Sequence, residues 1–202
     1  AMKFVPTRPI TIEKVRYGLQ MFLTTRRKGF DDLEQVSARD WIERGCGRGV
    51  YEQLWRRLMG KLVDVLGAFA LLQVSQGARA IQVFDSWVGA LGPDDYVRYV
   101  APYSRALIER IRTTGVPVIH FGTGAAGFFR ELHAAGGDVM GVDWRINIDQ
   151  AWMDISYRSA VQGNLHPAAL FSPVPELRMR VHELLKRTGT RPGHIFNLGH
   201  GI

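Results

Sequence analysis

Residues 78–92, ARAIQVFDSWVGALG, decide how the rest of the chain is read. Ile81, Val83 and Phe84 make a short apolar strand that turns polar at Asp85 and Ser86. Gly89 follows, and Pro93-Asp94-Asp95 opens a helix. An apolar strand ending in a polar, small-residue loop before a helix is the unit that lines active sites in α/β barrels. An ordinary strand exit, with a satisfied serine and a solvated aspartate, reads the same way, so the neighbouring segments must decide.

Toward the C-terminus the pattern repeats. Residues 93–114 read as a long helix with Asp94 and Asp95 in the first turn and Arg110 and Arg112 near the end, matching the helix dipole at both termini. Residues 116–121 read as a strand whose Pro117 is confined to its start. After the turn Gly122-Thr123-Gly124 come a helix at 125–135, a strand at 138–142 ending in Asp143-Trp144, and a helix at 148–156. A strand at 160–164, a helix at 174–188 and a strand at 194–198, ending in Gly199-His200-Gly201, complete the series. Crossovers of this length imply parallel neighbours. Eight such units close a barrel of ~250 residues. The expected fold is therefore α/β: a partial TIM-type (β/α) barrel of about five parallel βα units over residues 61–202, preceded by a helical N-terminal segment, residues 1–60.

That N-terminal segment carries no strand signals. Val15, Leu19, Phe22 and Leu23 recur at helical spacing, with Gly29 as a stop after Arg26-Arg27-Lys28. Ser37 caps a short helix interrupted by Gly45, Gly47 and Gly49, and a third helix starts at Val50 and runs through Leu54, Trp55 and Leu58. The character changes near Lys61, and residues 63–76 form a strongly apolar helix stopped by Gly77.

Composition bounds the function classes. Of 202 residues, 46% are hydrophobic and 22% charged, a soluble globular balance. No uninterrupted apolar run approaches 18 residues, so no spanning helix and no membrane partner are expected. The first residues lack the apolar core of a secretory signal. The single cysteine, Cys46, excludes an internal disulfide framework and fits a reducing, cytoplasmic setting. Residues 1–60 carry 12 Lys/Arg against 7 Asp/Glu, so +5 of the +7 formal charge lies there. The basic residues are not interleaved with aromatics in a reader motif, and no nucleic-acid partner is expected.

In a barrel of this kind the functional face lies at the C-terminal ends of the strands. The tips offered are Asp85-Ser86, His120 with Gly122-Thr123-Gly124, Asp143-Trp144-Arg145, Gly163-Asn164, and Asn197 with Gly199-His200. His120 reads more naturally as a packed histidine than as a ligand, and Asp143 and Arg145 are placed to pair with each other. The six histidines show no HxxxH or HxH spacing, Ser86 sits in no GxSxG elbow, and no phosphate-cradling glycine loop follows a strand. These tips point to a site that holds an anionic organic substrate by hydrogen bonds and a few cations, without metal or cofactor.

The segments FDSWVGALGPDDY, PVIHFGTG, GGDVMGVDWR, AVQGNLHP and RPGHIFNLGHGI, in this order, resemble the C-terminal half of the uroporphyrinogen decarboxylase family over residues 62–202. The resemblance implies a cofactor-free (β/α)8 barrel, commonly a homodimer, in heme and tetrapyrrole biosynthesis. It implies removal of the four acetate carboxylates of uroporphyrinogen III to give coproporphyrinogen III. Phe84 and Ser86 match the substrate-lining phenylalanine and serine of that family, and His200 matches the histidine that contacts a substrate carboxylate. The expected site is Ser86 and His200 as catalytic residues, with Phe84, Asp85, Gly122, Asn164 and Gly199 binding substrate, and with no cofactor or metal ligands. The partners implied are the tetrapyrrole substrate and a second chain, as a homodimer or by pairing at an open sheet edge.

Departures from the family pattern bear on activity. The arginine motif, the aspartate facing the pyrrole NH groups and the tyrosine of the family's N-terminal half have no counterpart here, His166 replaces the usual Asp, and the chain stops at Ile202. Residues 36–62 instead resemble a helical segment of flavin-dependent desaturases and protoporphyrinogen-oxidase-type amine oxidases, without a flavin-contacting motif. The expectation is a uroporphyrinogen decarboxylase-like chain with impaired turnover. The alternatives are a non-catalytic fragment or chimera that binds tetrapyrrole or another chain, and a relative of the cobalamin- or coenzyme M-type methyltransferases, which would need a zinc site.

Overall fold

The computed structural model describes residues 43–201 together with Leu19, Phe22, Leu23 and Arg26. The chain divides into two compact units, Ala1–Lys61 and Leu62–Ile202. In the first, residues 43–46 are helical, and Gly47 interrupts them with φ +92°, a left-handed conformation that glycine adopts without a Cβ clash. Tyr51 stacks on Trp55 at 6.3 Å, and Arg48 pairs with Glu52 one turn on. The helices read within 7–29 and 36–42 otherwise lie outside the described residues, although Leu19, Phe22 and Leu23 are helical.

The helices read from Val50 and from residue 63 are a single 28-residue helix, α1 (Arg48–Ser75). Gly60 and Lys61 do not break it, because one glycine costs only about 1 kcal/mol in a helix interior. This helix corrects the expectation drawn from uninterrupted apolar runs: it contains an 18-residue window of mean hydropathy 1.5, long and apolar enough to cross a membrane by length and composition alone. One stripe of it is committed to protein packing, with Ala70 buried among Ile81, Leu107, Ile108, Ile111 and Val118, and Val63 and Val74 beside them.

The second unit is a five-stranded parallel sheet in the order of the chain, β1 (Ile81–Asp85), β2 (Val118–Gly122), β3 (Val139–Gly141), β4 (Ala160–Leu165) and β5 (His194–Leu198). Helices α2 (Pro93–Tyr99) and α3 (Ala101–Arg112) connect β1 to β2, α4 (Phe129–Ala134) connects β2 to β3, α5 (Ile148–Asp154) connects β3 to β4, and α6 (Val174–Thr188) connects β4 to β5. This is the expected partial (β/α) barrel. Three helices are shorter than the reading, and the one read over 148–156 ends at Asp154, ahead of the positive-φ residues Ser156 and Tyr157. The helix read over 93–114 splits at Val100, because Pro102 has no N–H and its ring clashes with the preceding turn. The helix read over 125–135 begins as a 3-10 turn, Ala125–Phe128, after Gly124 at φ +73°.

The register sorts side chains onto two faces. Gln82 pairs with Ile119 and Phe84 with Phe121, so these alternate residues share one face, while Val83 and His120 share the other. The second face carries the core. Met140 and Val161 are fully buried there with Leu132, Phe128, Ile148 and Trp152 from the helices and turns. The first face is open: Phe84 and Ile195 remain exposed there. Among the described residues β1 and β5 each have one neighbouring strand, so the sheet ends at both.

Gly141 makes room for Phe121. A Cβ at position 141 would lie 2.7 Å from Phe121 Cδ2 and 3.2 Å from its backbone Cα. Gly141→Ala is expected to destabilise the fold by about 2 kcal/mol in urea titration, with an altered near-UV aromatic signal; an unchanged transition would contradict this packing.

Candidate functional site

Two adjoining cavities lie at the C-terminal ends of the strands, and Ser86 and His200 line both. The first, about 440 Å³, is walled by Phe84, Phe121, Asn197 and Leu198, with Gln82 and Gln162 beneath, where Gln162 Nε2 donates to Gln82 Oε1 at 3.3 Å. The second, about 590 Å³, is bounded by Trp87, Gly89, Thr123, Gly124, Trp144 and Arg145. Ser86 continues the alternation of Gln82 and Phe84 past the end of β1, which is why it leaves the sheet toward the open face.

Aromatic contacts fix the rim. Phe84 meets Phe121 edge-on at 5.9 Å, Phe121 lies 6.2 Å from the His200 ring, and Trp144 meets His200 edge-on at 5.9 Å and His166 at 5.3 Å. Such geometry suits the ring quadrupoles and holds the imidazole between two apolar faces. Asp143 fixes the loop beside them: it is buried and accepts the Gly124 N–H at 2.6 Å, the Arg145 N–H at 3.0 Å and Arg145 Nη1 at 2.7 Å. The Arg145 guanidinium lies 4.1 Å above the Trp144 ring.

The structure brings Phe84, Ser86 and His200 to one cavity. It places the other expected site residues elsewhere. Asp85 points to the helix-covered face, where its Oδ2 lies 2.9 Å from His120 Nε2 and accepts from Ser104 Oγ at 3.0 Å. The His120 ring is completely buried and donates from Nδ1 to the Gly136 carbonyl at 2.9 Å. The Tyr96 hydroxyl beside this cluster is held in its neutral form well above the usual range, by burial first and then by the Asp85 carboxylate. Gly122 faces Val88 and Leu132, and its missing side chain is a packing requirement. Gly199 abuts the backbone at Trp144, 2.6 Å from where its Cβ would stand. Asn164 donates to the carbonyls of Asp143 and Ile146, tying the β3–α5 loop to β4, and borders a smaller cavity of about 160 Å³ on the far side of Trp144. His166 accepts the Ala168 N–H at 3.0 Å and caps the turn Pro167–Phe171, a task an aspartate performs equally well.

Gln82, Phe121 and Gln162 escaped the sequence reading as site residues. A signal was present for the two glutamines, which are polar residues inside otherwise apolar strands; Phe121 reads as an ordinary apolar strand residue. Among the described residues, no group of three His, Cys, Asp or Glu side chains is disposed to hold a metal ion. None of the described residues that line the two large cavities is acidic.

A family model described as uroporphyrinogen decarboxylase (URO-D) matches residues 50–202. The chain belongs to the uroporphyrinogen decarboxylase family. It is 86% identical over 151 residues to the uroporphyrinogen decarboxylase of Solibacter usitatus, covering 75% of this chain and 44% of that protein. It is 45% identical over 172 residues to that of Carboxydothermus hydrogenoformans, covering 84% of this chain and 49% of the relative, and 48% identical over 149 residues to that of Koribacter versatilis, covering 73% and 42%. The chain thus spans somewhat under half the length of the curated uroporphyrinogen decarboxylases it matches.

The Asp85–His120 contact joins β1 to β2 immediately below Phe84 and Ser86. Removing the imidazole leaves a largely buried carboxylate short of its partner, so His120→Ala is expected to lose about 3 kcal/mol of stability. Urea denaturation checks this, and a midpoint within experimental error of the parent would contradict the assigned contact.

Proposed function

We propose that this chain carries the C-terminal portion of a uroporphyrinogen decarboxylase substrate site and binds a carboxylate-rich tetrapyrrole over its open sheet face. The observation that carries this reading is the convergence of Phe84, Ser86 and His200 on one cavity that continues, across Ser86 and His200, into a second. A flat macrocycle with acid side chains needs an apolar wall for its ring and donors at its periphery. Phe84 and Phe121 offer the wall; Ser86 and His200 offer the donors. The setting proposed is the cytoplasm, with tetrapyrrole biosynthesis as the role.

Loss of CO2 from a pyrrole acetate proceeds by protonation of the ring, which turns it into an electron sink, and release of CO2 from the adjacent CH2 group. The resulting methylene carbon then takes a proton to become a methyl group, and the proton first added to the ring leaves to restore the pyrrole. The ring cation formed on the way calls for a fixed negative charge close to the pyrrole nitrogens. The carboxylates nearest the cavities, half-buried Asp85 and buried Asp143, are both consumed by internal hydrogen bonds. On this reading Ser86 and His200 hold acid side chains, and the chain by itself binds without appreciable turnover.

Among the described residues the sheet ends at β1 and β5, and a strand with unpaired backbone groups is a template for pairing with another chain. We propose that the chain associates through these edges, with a second copy as the available partner.

Anaerobic incubation with uroporphyrinogen III, oxidation and chromatographic separation of the porphyrins tests the chemistry. The octacarboxylate is expected to be recovered unchanged, and accumulation of porphyrins with seven to four carboxylates would overturn the non-catalytic reading. Size-exclusion chromatography tests association: elution above the 22.7 kDa monomer is expected, and a clean monomer would contradict edge pairing.

A further inference from the structure

We propose that Arg145 is a substrate-carboxylate-binding residue, a guanidinium fixed in advance at the mouth of the second cavity. This deepens the tetrapyrrole reading above and rests on it. Arg145 lies in that cavity's wall with Ser86 and His200, so the guanidinium, a hydroxyl and an imidazole surround one space.

Its position is built. Nη1 donates to the buried Asp143 Oδ2 at 2.7 Å, and the plane sits 4.1 Å over Trp144. Asp143 is itself locked by the N–H groups of Gly124 and Arg145, so it is a rigid anchor. An anchored guanidinium forfeits less side-chain freedom when it binds a ligand than a mobile one. Only one edge of the fork is used by Asp143, and the Arg145 side chain remains 46% exposed. The remaining donors match the two oxygens of a carboxylate, which accept a bidentate guanidinium contact. The wall has a second uncommitted polar group: the Thr123 hydroxyl is shielded from solvent and has no partner among the described residues. With no acidic residue among the described residues that line the cavity, the local chemistry favours an acid side chain of the ligand.

The Asp143–Arg145 pair is therefore more than a closed salt bridge. Asp143 orients Arg145, and Arg145 reads the ligand. The rim then discriminates by carboxylate number and position: a porphyrin that retains an acid group at this point gains a contact that its decarboxylated counterpart lacks.

The test is binding of uroporphyrin I, with eight carboxylates, and coproporphyrin I, with four, to the full chain, followed by quenching of tryptophan fluorescence. The comparison set is the parent, Arg145→Ala, Arg145→Gln, Arg145→Lys and Arg180→Ala, the last removing a guanidinium that pairs with Glu176 on α6. Losing one charge-assisted contact weakens uroporphyrin binding about tenfold or more in Arg145→Ala and Arg145→Gln. Affinity recovers in part in Arg145→Lys, is unchanged in Arg180→Ala, and falls less for coproporphyrin than for uroporphyrin. The salt dependence of uroporphyrin affinity also becomes shallower in Arg145→Ala, a change that a purely structural role does not produce. Should Arg145→Ala fail to fold by circular dichroism, Arg145→Gln is judged by the same criteria, since its amide still spans the Trp144 face. Equal uroporphyrin affinity in the parent and the folded Arg145 variants overturns the assignment of Arg145 while leaving the tetrapyrrole site intact. No binding by the parent overturns the tetrapyrrole reading and this inference with it.

Discussion

The register of β1 on β2 is the constraint on which the candidate site depends. Phe84 lies beside Phe121, and Asp85 reaches His120 across the neighbouring strand on the opposite face. Side chains along a strand alternate with a period of two, so a slip of one residue would exchange the two sets. It would drive Phe84 into the helix layer and put Asp85 into the hollow. The Asp85–His120 contact opposes that slip: the imidazole is fully buried, its other nitrogen is committed to the Gly136 carbonyl, and the carboxylate takes a second hydrogen bond from Ser104. A polar cluster under the helices thus holds the apolar and donor groups that face the cavity.

Much of the architecture was legible because turn residues bound the strands and because helices such as α2 and α6 carry acidic residues in the first turn and basic residues in the last. The helix Val174–Thr188 and the strand His194–Leu198 match the reading residue for residue. The reading failed where one residue outweighs periodicity. Pro102 divides an otherwise continuous apolar repeat, and Gly124 tightens the start of the following helix into a 3-10 turn. Conversely Gly60 and Lys61, which read as a change of character, sit inside α1 because a 28-residue helix absorbs one poor helix former.

The site was legible to a smaller degree, for a physical reason. A polar residue or glycine at a strand tip announces that the tip is special, yet not which face its side chain takes. Ser86 and Asp85 are adjacent and go opposite ways. Gly122 and Gly199 accommodate the Val88/Leu132 side chains and the Trp144 backbone, and Asn164 satisfies two loop carbonyls. Arg145 shows the converse: its pairing with Asp143 was foreseeable from spacing, whereas its place in a cavity wall with Ser86 and His200 requires the fold. The chemistry that results is one-sided. Donors and aromatic faces meet at the rim, while the carboxylates of Asp85 and Asp143 are turned inward to His120 and Gly124.

The most direct measurement is a chemical-shift map of the isotopically labelled chain titrated with uroporphyrin I. The account predicts that the largest perturbations fall on Phe84, Ser86, Phe121, Trp144, Arg145 and His200, in saturable fashion and with one common dissociation constant. Perturbations confined to the opposite side of Trp144, at Arg180, Glu183 and Arg187, or scattered without saturation, would contradict the claim that these strand tips form a single tetrapyrrole site.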